Sequence, residues 1–298
     1  MKRAFSLIEL SIVILIIGIL IAGVTQSSRL VKQMRLNSAR SLTQSSPVNS
    51  IKDLILWVEP TLESSFDSDL GNGDAVAKWN DINPQSSYKI NLSQDSSGNR
   101  PTYLAEGIGG IPSIKFSGST GTPLYGKDIY FSSPSYTIFM VFKPDTVSES
   151  ALLGAFYDND SNWTNESGEH GINLQINSST PKFRALHRGP TGASGGNSNV
   201  SSSDIVAKKD YIFSYVRNYT VGATLWLNNA VEINQASASA GSFDKASLQL
   251  VIGTLFDSLT ARKFDGQFSE LIIFDRALRQ SEIDDVEAYL SKKYSVKF

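Results

Sequence analysis

Cysteine is missing from this 298-residue chain, and histidine occurs only at His170 and His187. The lack of cysteine excludes thiolate zinc sites, a cysteine nucleophile, disulfides and a lipid-modified cysteine anchor. The two histidines, without a recognisable nucleophile elbow, give little basis for a serine triad, and no phosphate-binding fingerprint occurs. The 27 basic and 29 acidic residues leave a formal net charge of -2. No overall field therefore favours nucleic acid as a partner.

The N-terminal segment is apolar enough to span a bilayer, apart from one acid. Between residues 5 and 24 only Ser6, Glu9 and Ser11 are polar, and twenty helical residues cover about 30 Å. A signal peptide would need a small-residue cleavage site after this run, which residues 20–22 match poorly. A carboxylate costs roughly 2.5 to 3.5 kcal/mol at the centre of a membrane helix. Glu9 is therefore a functional candidate that needs a cationic partner.

The stretch KRAFSLIE at 2–9, followed by an unbroken apolar helix, resembles the N-terminal signature of type IV prepilins and pseudopilins. The resemblance implies that a prepilin peptidase cuts between Ala4 and Phe5, removing a leader of residues 1–4, and that Phe5 is N-methylated. It also implies that Glu9 pairs with the terminal amine of a neighbouring pilin-like subunit. The family usually has glycine where this chain has Ala4. An ordinary membrane anchor with a stray acid is the alternative.

The location that this resemblance implies is the bacterial inner membrane. The chain would cross it once with a cytoplasmic N-terminus and later enter a periplasmic or extracellular filament. Helical spacing predicts a stem over 5–46, with three apolar residues on one side, namely Leu30, Met34 and Leu42. Four basic residues are expected to face outward: Arg29, Lys32, Arg35 and Arg40. Pro47 predicts a short linker at 47–50.

Residues 51–298 alternate short apolar runs with turn residues, which predicts an antiparallel β-sandwich. Strands are expected at 54–59, 113–116, 136–142, 151–157, 172–176, 182–187, 211–217, 224–228, 248–253 and 268–274. Asn228-Asn229 suits a two-residue hairpin turn. A C-terminal helix capped by Ser281 should bury one face, formed by Ile283, Val286 and Leu290.

Several ordered stretches of this body resemble bacterial concanavalin A-like, laminin-G-type domains: LILWVEPT, KWNDI, NRPTY, GGIPSIKFSG, YTIFMVFKP and the C-terminal FDGQFSELIIFDRALRQSEIDDVEAYLSKKY. The implied fold is a jelly roll of two curved sheets. The fold class is then mainly β, with a long N-terminal helix and a short C-terminal one. The implied function is the binding of glycans or proteins, without catalysis.

The loop at 157–170 contains a candidate sugar-binding tryptophan. Trp163 could stack on a sugar ring while Asn162, Asn165 and Glu166 bind hydroxyls. Trp163 folded back as a lid on the core is the alternative.

Two acidic loops are candidate calcium sites, since carboxylates suit a hard cation. The first offers Asp67, Asp69 and Asp74, and the second offers Asp158 and Asp160. Solvated turns are the alternative reading of both loops. No other cofactor is expected.

The acids at 282–287 have the sequence spacing of the paired carboxylates that glycosidases carry along a strand. On a helix these acids should spread over a solvated face and miss a glycosidic bond. The sequence therefore predicts a pilin-like subunit that displays a lectin-like domain and is not an enzyme. The alternatives are a membrane-anchored binding module that does not polymerise and a glycoside hydrolase or lyase.

Overall fold

The computed structural model describes residues 7–157, 170–177, 180–189, 196–243, 248–255 and 262–298. Within them, a long helix, α1 (Leu7–Gln44), precedes two antiparallel sheets, and a second helix, α2 (Gln280–Tyr294), closes the chain. Short 3₁₀ helices lie at Pro47–Asn49, Glu63–Ser65, Ser97–Asn99 and Ile108–Gly110.

The two sheets contain eight described strands each. The first consists of β1 (Leu54–Val58), β4 (Thr102–Leu104), β5 (Ser113–Phe116), β7 (Tyr136–Pro144), β12 (Tyr211–Asn218), β13 (Gly222–Leu227), β14 (Ala230–Ala236) and β16 (Gly266–Phe274). The second consists of β2 (Lys78–Trp79), β3 (Leu92–Ser93), β6 (Leu124–Ile129), β8 (Ser150–Phe156), β9 (His170–Ile176), β10 (Lys182–His187), β11 (Asn197–Asp204) and β15 (Leu248–Ile252).

Strand order shows that neighbours in sequence are often not neighbours in space. The first sheet runs β14-β13-β12-β7-β16-β5-β4, with β1 also paired to β16, and the second runs β11-β10-β9-β8-β15-β6-β3-β2. Inward-facing side chains of both sheets form one core, in which the rings of Phe183 and Phe213 lie 4.3 Å apart. The predicted mainly-β sandwich is confirmed.

Every strand predicted from an apolar run is present, and the hairpin prediction is confirmed. Asn228 and Asn229 have φ values of 50° and 62°, and the strands on either side of them, β13 and β14, pair. Strands β2, β3 and β4, which are short, and strand β6 were not predicted, and β11 was missed because it is polar. Its inward residues form hydrogen bonds, such as that from Asn199 Nδ2 to Tyr215 Oη at 3.0 Å.

Helix α2 lies on the outer face of the first sheet and buries Ile283, Val286 and Leu290 as predicted. The predicted cap at Ser281 is wrong, because the helix begins at Gln280 with Arg279 as its N-cap. Glu282 explains the earlier start: its carboxylate accepts a hydrogen bond from the backbone N–H of Arg279 at 2.9 Å. This contact satisfies one of the backbone donors that a helix start leaves free.

Candidate functional site

The candidate assembly site is the exposed apolar helix around Glu9. Glu9 lies in the first turn of α1, which has 38 residues and a length of about 57 Å. By length and composition this helix qualifies as a membrane span, and no residue of its most apolar 18-residue window is buried. Ala4 and Phe5 lie outside the described residues. The helix is longer than a hydrocarbon core, so its C-terminal part extends beyond one.

The C-terminal end of α1 docks on the body. Ala39 and Thr43 are buried, and the hydroxyl oxygens of Thr43 and Tyr289 lie 3.4 Å apart. Residues 47–50, predicted to be a linker, are packed as well, since Val48 is fully buried against α2 and the first sheet. The stem is therefore attached by burial and not by a free tether.

Two of the basic residues expected to face outward also reach the body. Lys32 and Arg40 contact the body: Lys32 Nζ lies 2.5 Å from Glu106 Oε1, and Arg40 Nε donates to the carbonyl of Thr61 at 2.8 Å. Leu30 and Met34, by contrast, are exposed by 63% and 62%. Helical spacing shows which residues share a side, but the position of the body decides which side it covers.

A buried charge cluster joins the first sheet to α2. Lys293 Nζ lies 2.8 Å from Glu59 Oε2 and 2.8 Å from Glu270 Oε2, and all three side chains are essentially unexposed. The hydroxyls of Tyr289 and Tyr294 each donate to Glu270 at 2.8 Å. Glu59 accepts further hydrogen bonds from residues 61, 62 and 65. Such saturation is what a buried ion cluster requires.

The pKa shifts of the cluster follow from burial and from its charges. Burial alone would raise the pKa of Glu59, but the charge and hydrogen bond of Lys293 hold that pKa below its ordinary value. Burial and then the charge of Glu270 raise the pKa values of Tyr289 and Tyr294 well above 10. The phenols thus remain donors. Because neither carboxylate reaches the surface, the cluster acts as a structural clamp.

A second buried polar cluster lies at one end of the sandwich, around His187. Tyr136 Oη lies 3.2 Å from His187 Nδ1, and His187 Nε2 lies 2.9 Å from the carbonyl oxygen of Gly241. A carbonyl only accepts, so Nε2 carries the proton and Nδ1 accepts from the phenol. Burial and then the positive charge of Arg217 lower the pKa of His187 to about 3. The imidazole is neutral and structural.

Arg217 fixes the segments around this end. Its guanidinium is fully buried and donates to Asn197 Oδ1 at 3.0 Å, to the carbonyl of Ala238 at 2.8 Å and to the carbonyl of Pro134. Arg217 thereby holds together three segments, which lie ahead of β7, at the start of β11 and after β14. Phe156 pairs with His170 at this same end of the second sheet.

The predicted ligand residues Asn162, Trp163, Asn165 and Glu166 lie outside the described residues, as do Asp158 and Asp160. The sugar-binding prediction for them therefore stays a prediction.

The first acidic loop uses its carboxylates internally. Asp67 accepts from Lys78 Nζ at 3.2 Å and from Asn80 Nδ2 at 3.0 Å, and Asp74 accepts from the backbone N–H of Gly71 at 2.7 Å. Asp69 is exposed. In the described part of the chain, no three His, Asp or Glu residues are grouped to hold a metal ion. Calcium binding stays a prediction.

The acids of α2 point in different directions. Glu282 binds Arg276, whose hydrogen bonds are the main cause that lowers the pKa of Glu282 to about 2. Asp284 and Asp285 are exposed as predicted. Glu287, expected on the solvated face, is buried and accepts from Ser214 Oγ at 2.5 Å. Position 287 lies one turn after Ile283, on the face that covers the sheet.

The charge cluster was missed by sequence reasoning, although a signal existed. Lys293 continues the buried stripe of Val286 and Leu290 at helical spacing, and Glu59 directly follows the apolar strand β1. A lysine on a buried stripe needs a carboxylate partner. The sequence does not say which of its many acids provides one.

Residues 116–284, more than half of the chain, match the family described as the concanavalin A-like lectin/glucanases superfamily. The chain belongs to this superfamily. Residues 1–25 match the prokaryotic N-terminal methylation motif, so the prepilin-like start is confirmed next to the concanavalin A-like body. A search of curated proteins finds no match.

Solved structures share the fold at low identity. Domain 4 of an extracellular arabinanase from Geobacillus stearothermophilus, in complex with arabinotriose, is 14% identical with a TM-score of 0.52, and the match covers 73% of this chain and all of that domain. The binding domain of Paraclostridial Mosquitocidal Protein 1 is 12% identical with a TM-score of 0.54, covering 80% of this chain. The binding domain of botulinum neurotoxin serotype D is 13% identical with a TM-score of 0.52, covering 83%. The matches span about half of the two toxin chains, 52% and 53%.

Proposed function

We propose that this protein is a minor pilin or pseudopilin subunit that carries a glycan- or protein-binding concanavalin A-like body. A prepilin peptidase would remove residues 1–4, leaving Phe5 as an N-methylated terminus. The stem would first sit in the inner membrane with a cytoplasmic N-terminus. It would then pack among the stems of other subunits in a type IV pilus or type II secretion filament.

The observation that carries this proposal is the exposed apolar surface around Glu9. Leu7, Ile14 and Leu20 are exposed by 84%, 62% and 61%, and the body covers none of them. A lone anchor needs such a surface, but it gains nothing from a carboxylate in lipid. In an assembled filament the amine of Phe5 on one subunit would neutralise Glu9 on the next.

The test is incorporation into filaments. Glu9→Ala should lower the amount of protein in sheared filaments by about tenfold or more, since an unpaired terminal amine in an apolar core costs several kcal/mol. Ser11→Ala is the matched control, because Ser11 is an uncharged polar side chain in the same apolar stretch. Equal incorporation of wild type and Glu9→Ala would refute assembly through Glu9. It would favour the competing function, a membrane-anchored binding module that does not polymerise.

The proposed action of the body is binding and not turnover. The charge cluster of Lys293, Glu59 and Glu270 is closed to substrate, and the acids of α2 do not converge. Domain 4 of the arabinanase was solved with arabinotriose, which favours a saccharide as the ligand class. A glycan array probed with wild type and Trp163→Ala would test the loop at 157–170. Release of products from polysaccharide would instead support a hydrolase or lyase.

A further inference from the structure

The outer face of the second sheet has an apolar half and a polar half. On the first half Ala151, Phe156, Val251 and Leu255 pack together. On β9 and β10 the outward residues are different. Cross-strand pairs put Asn173 beside Leu186 and Gln175 beside Arg184, and paired residues project from the same face.

Three arginines gather over this polar half. Arg262 Nη1 donates to Gln175 Oε1 at 3.1 Å, and Arg184 Nε donates to Ser198 Oγ at 2.8 Å. Burial and then the positive charges of Arg262 and Arg188 lower the pKa of Arg184, so the guanidinium groups interact. The described acid among them is Glu149, whose Oε1 lies 3.1 Å from Arg262 Nε. Among the described residues, the three arginines thus share this polar half with the carboxylate of Glu149.

A chain of amides forms the floor of this patch. Asn173 Nδ2 donates to Gln175 Oε1 at 2.5 Å, and Gln175 Nε2 donates to Asn177 Oδ1 at 3.0 Å. These bonds fix the orientation of both amides. Asn173 is fully buried, yet its Oδ1 has no hydrogen-bond partner within the described residues, and neither has the buried Nε of Arg188. Burying polar atoms without partners is costly, and each such atom needs an explanation.

We propose that this patch, formed by Asn173, Gln175, Arg184, Arg188 and Arg262, binds a carboxylate-bearing saccharide. A guanidinium fork matches the two oxygens of a carboxylate, and amides match sugar hydroxyls. The inference deepens the proposed function by naming the ligand class. The patch also lies on the sheet opposite to the one that holds the stem, on the side that a filament would leave accessible.

The probe is a galacturonate hexamer, titrated calorimetrically into the full-length protein in detergent. Its methyl ester is the matched probe without carboxylates, and single-stranded DNA of equal charge tests for binding by charge alone. We expect the hexamer to bind more tightly than either by about tenfold or more, because hydrogen bonds to charged groups are the stronger ones. Added salt should weaken the binding.

Variants locate the site. Arg262→Gln and Arg184→Gln should each weaken hexamer binding by about tenfold or more, and Arg262→Lys should restore part of the loss. Arg279→Gln is the matched control, since Arg279 is 81% exposed on the opposite side of the body. If the Arg262→Gln variant does not fold, the Arg184→Gln variant still tests whether the patch binds the hexamer.

Three results would overturn the proposal: no binding of the hexamer, equal binding of the ester or DNA, or an equal loss in Arg279→Gln. Failure of filament assembly is a separate result, because Glu9→Ala in detergent should still bind the hexamer.

Discussion

The two outer faces of the sandwich differ in what covers them. The first sheet is covered by α2, by residues 47–49 and by the end of the stem, and Lys293 is buried there with two carboxylates. The second sheet carries Arg184 and Arg262 over a row of buried amides. One sandwich thus uses one face for attachment, and the proposed ligand patch lies on the other.

Lys293→Met should cause the largest loss of stability, and it should act on the covered face of the first sheet. The change leaves Glu59 and Glu270 buried without their cation, which costs about 3 to 5 kcal/mol. Urea unfolding measures the loss, and Lys292→Met is the control because Lys292 is exposed on the same helix. Equal stability of the two variants would mean that the cluster does not hold α2 in place.

As the pH falls, the two buried polar clusters should lose their contributions to stability at different pH values. His187 has a folded pKa of about 3 against 6.5 for an unperturbed histidine. As the pH falls below 6.5 the unfolded state takes up a proton that the folded state refuses, so stability falls by up to about 1.4 kcal/mol per pH unit. Glu59, with its lowered pKa, loses its contribution only below its ordinary value of 4.5.

His187→Gln should therefore flatten the dependence of unfolding free energy on pH between 6.5 and 5. Lys292→Met, at an exposed position, should leave that slope unchanged. An unchanged slope in His187→Gln would show that His187 does not titrate as described.

Val48→Ala should have a smaller effect on the same face. Deleting methyl groups at a fully buried valine costs about 1 to 3 kcal/mol. Val31→Ala, at a position 48% exposed on the stem, should leave the unfolding free energy unchanged. If Val48→Ala is also neutral, residues 47–50 are a free linker after all.

Lys32→Ala should have the smallest effect. Lys32 and Glu106 are 50% and 53% exposed, and exposed ion pairs contribute about 0 to 1 kcal/mol. A loss above that range in urea unfolding would mean that surface charges, and not burial, attach the stem.

The sequence predicted what depends on local pattern. The apolar helix, the strands of the longer apolar runs, such as β7 and β16, and the turn at Asn228 follow from composition, alternation and turn chemistry. Strand β11 did not, because its polar inward residues find hydrogen-bond partners that only the folded chain provides.

The candidate sites were harder to predict from the sequence, because they depend on contacts that form only in the folded chain. Pro47 correctly marks the end of α1, but the burial of Val48 depends on a helix more than 200 residues later. The cluster around Arg184 joins residues from β9, β10 and the segment before β16, and none of these segments carries a motif.

The most direct test of the account is maleimide labelling of sheared filaments, which the cysteine-free sequence makes possible. The account predicts that Leu30→Cys on the stem is protected until detergent separates the subunits. Ser202→Cys on the second sheet should react throughout. Equal reaction of both positions in filaments, or absence of the protein from them, would contradict the claim that the stem is buried by assembly while the second sheet stays open.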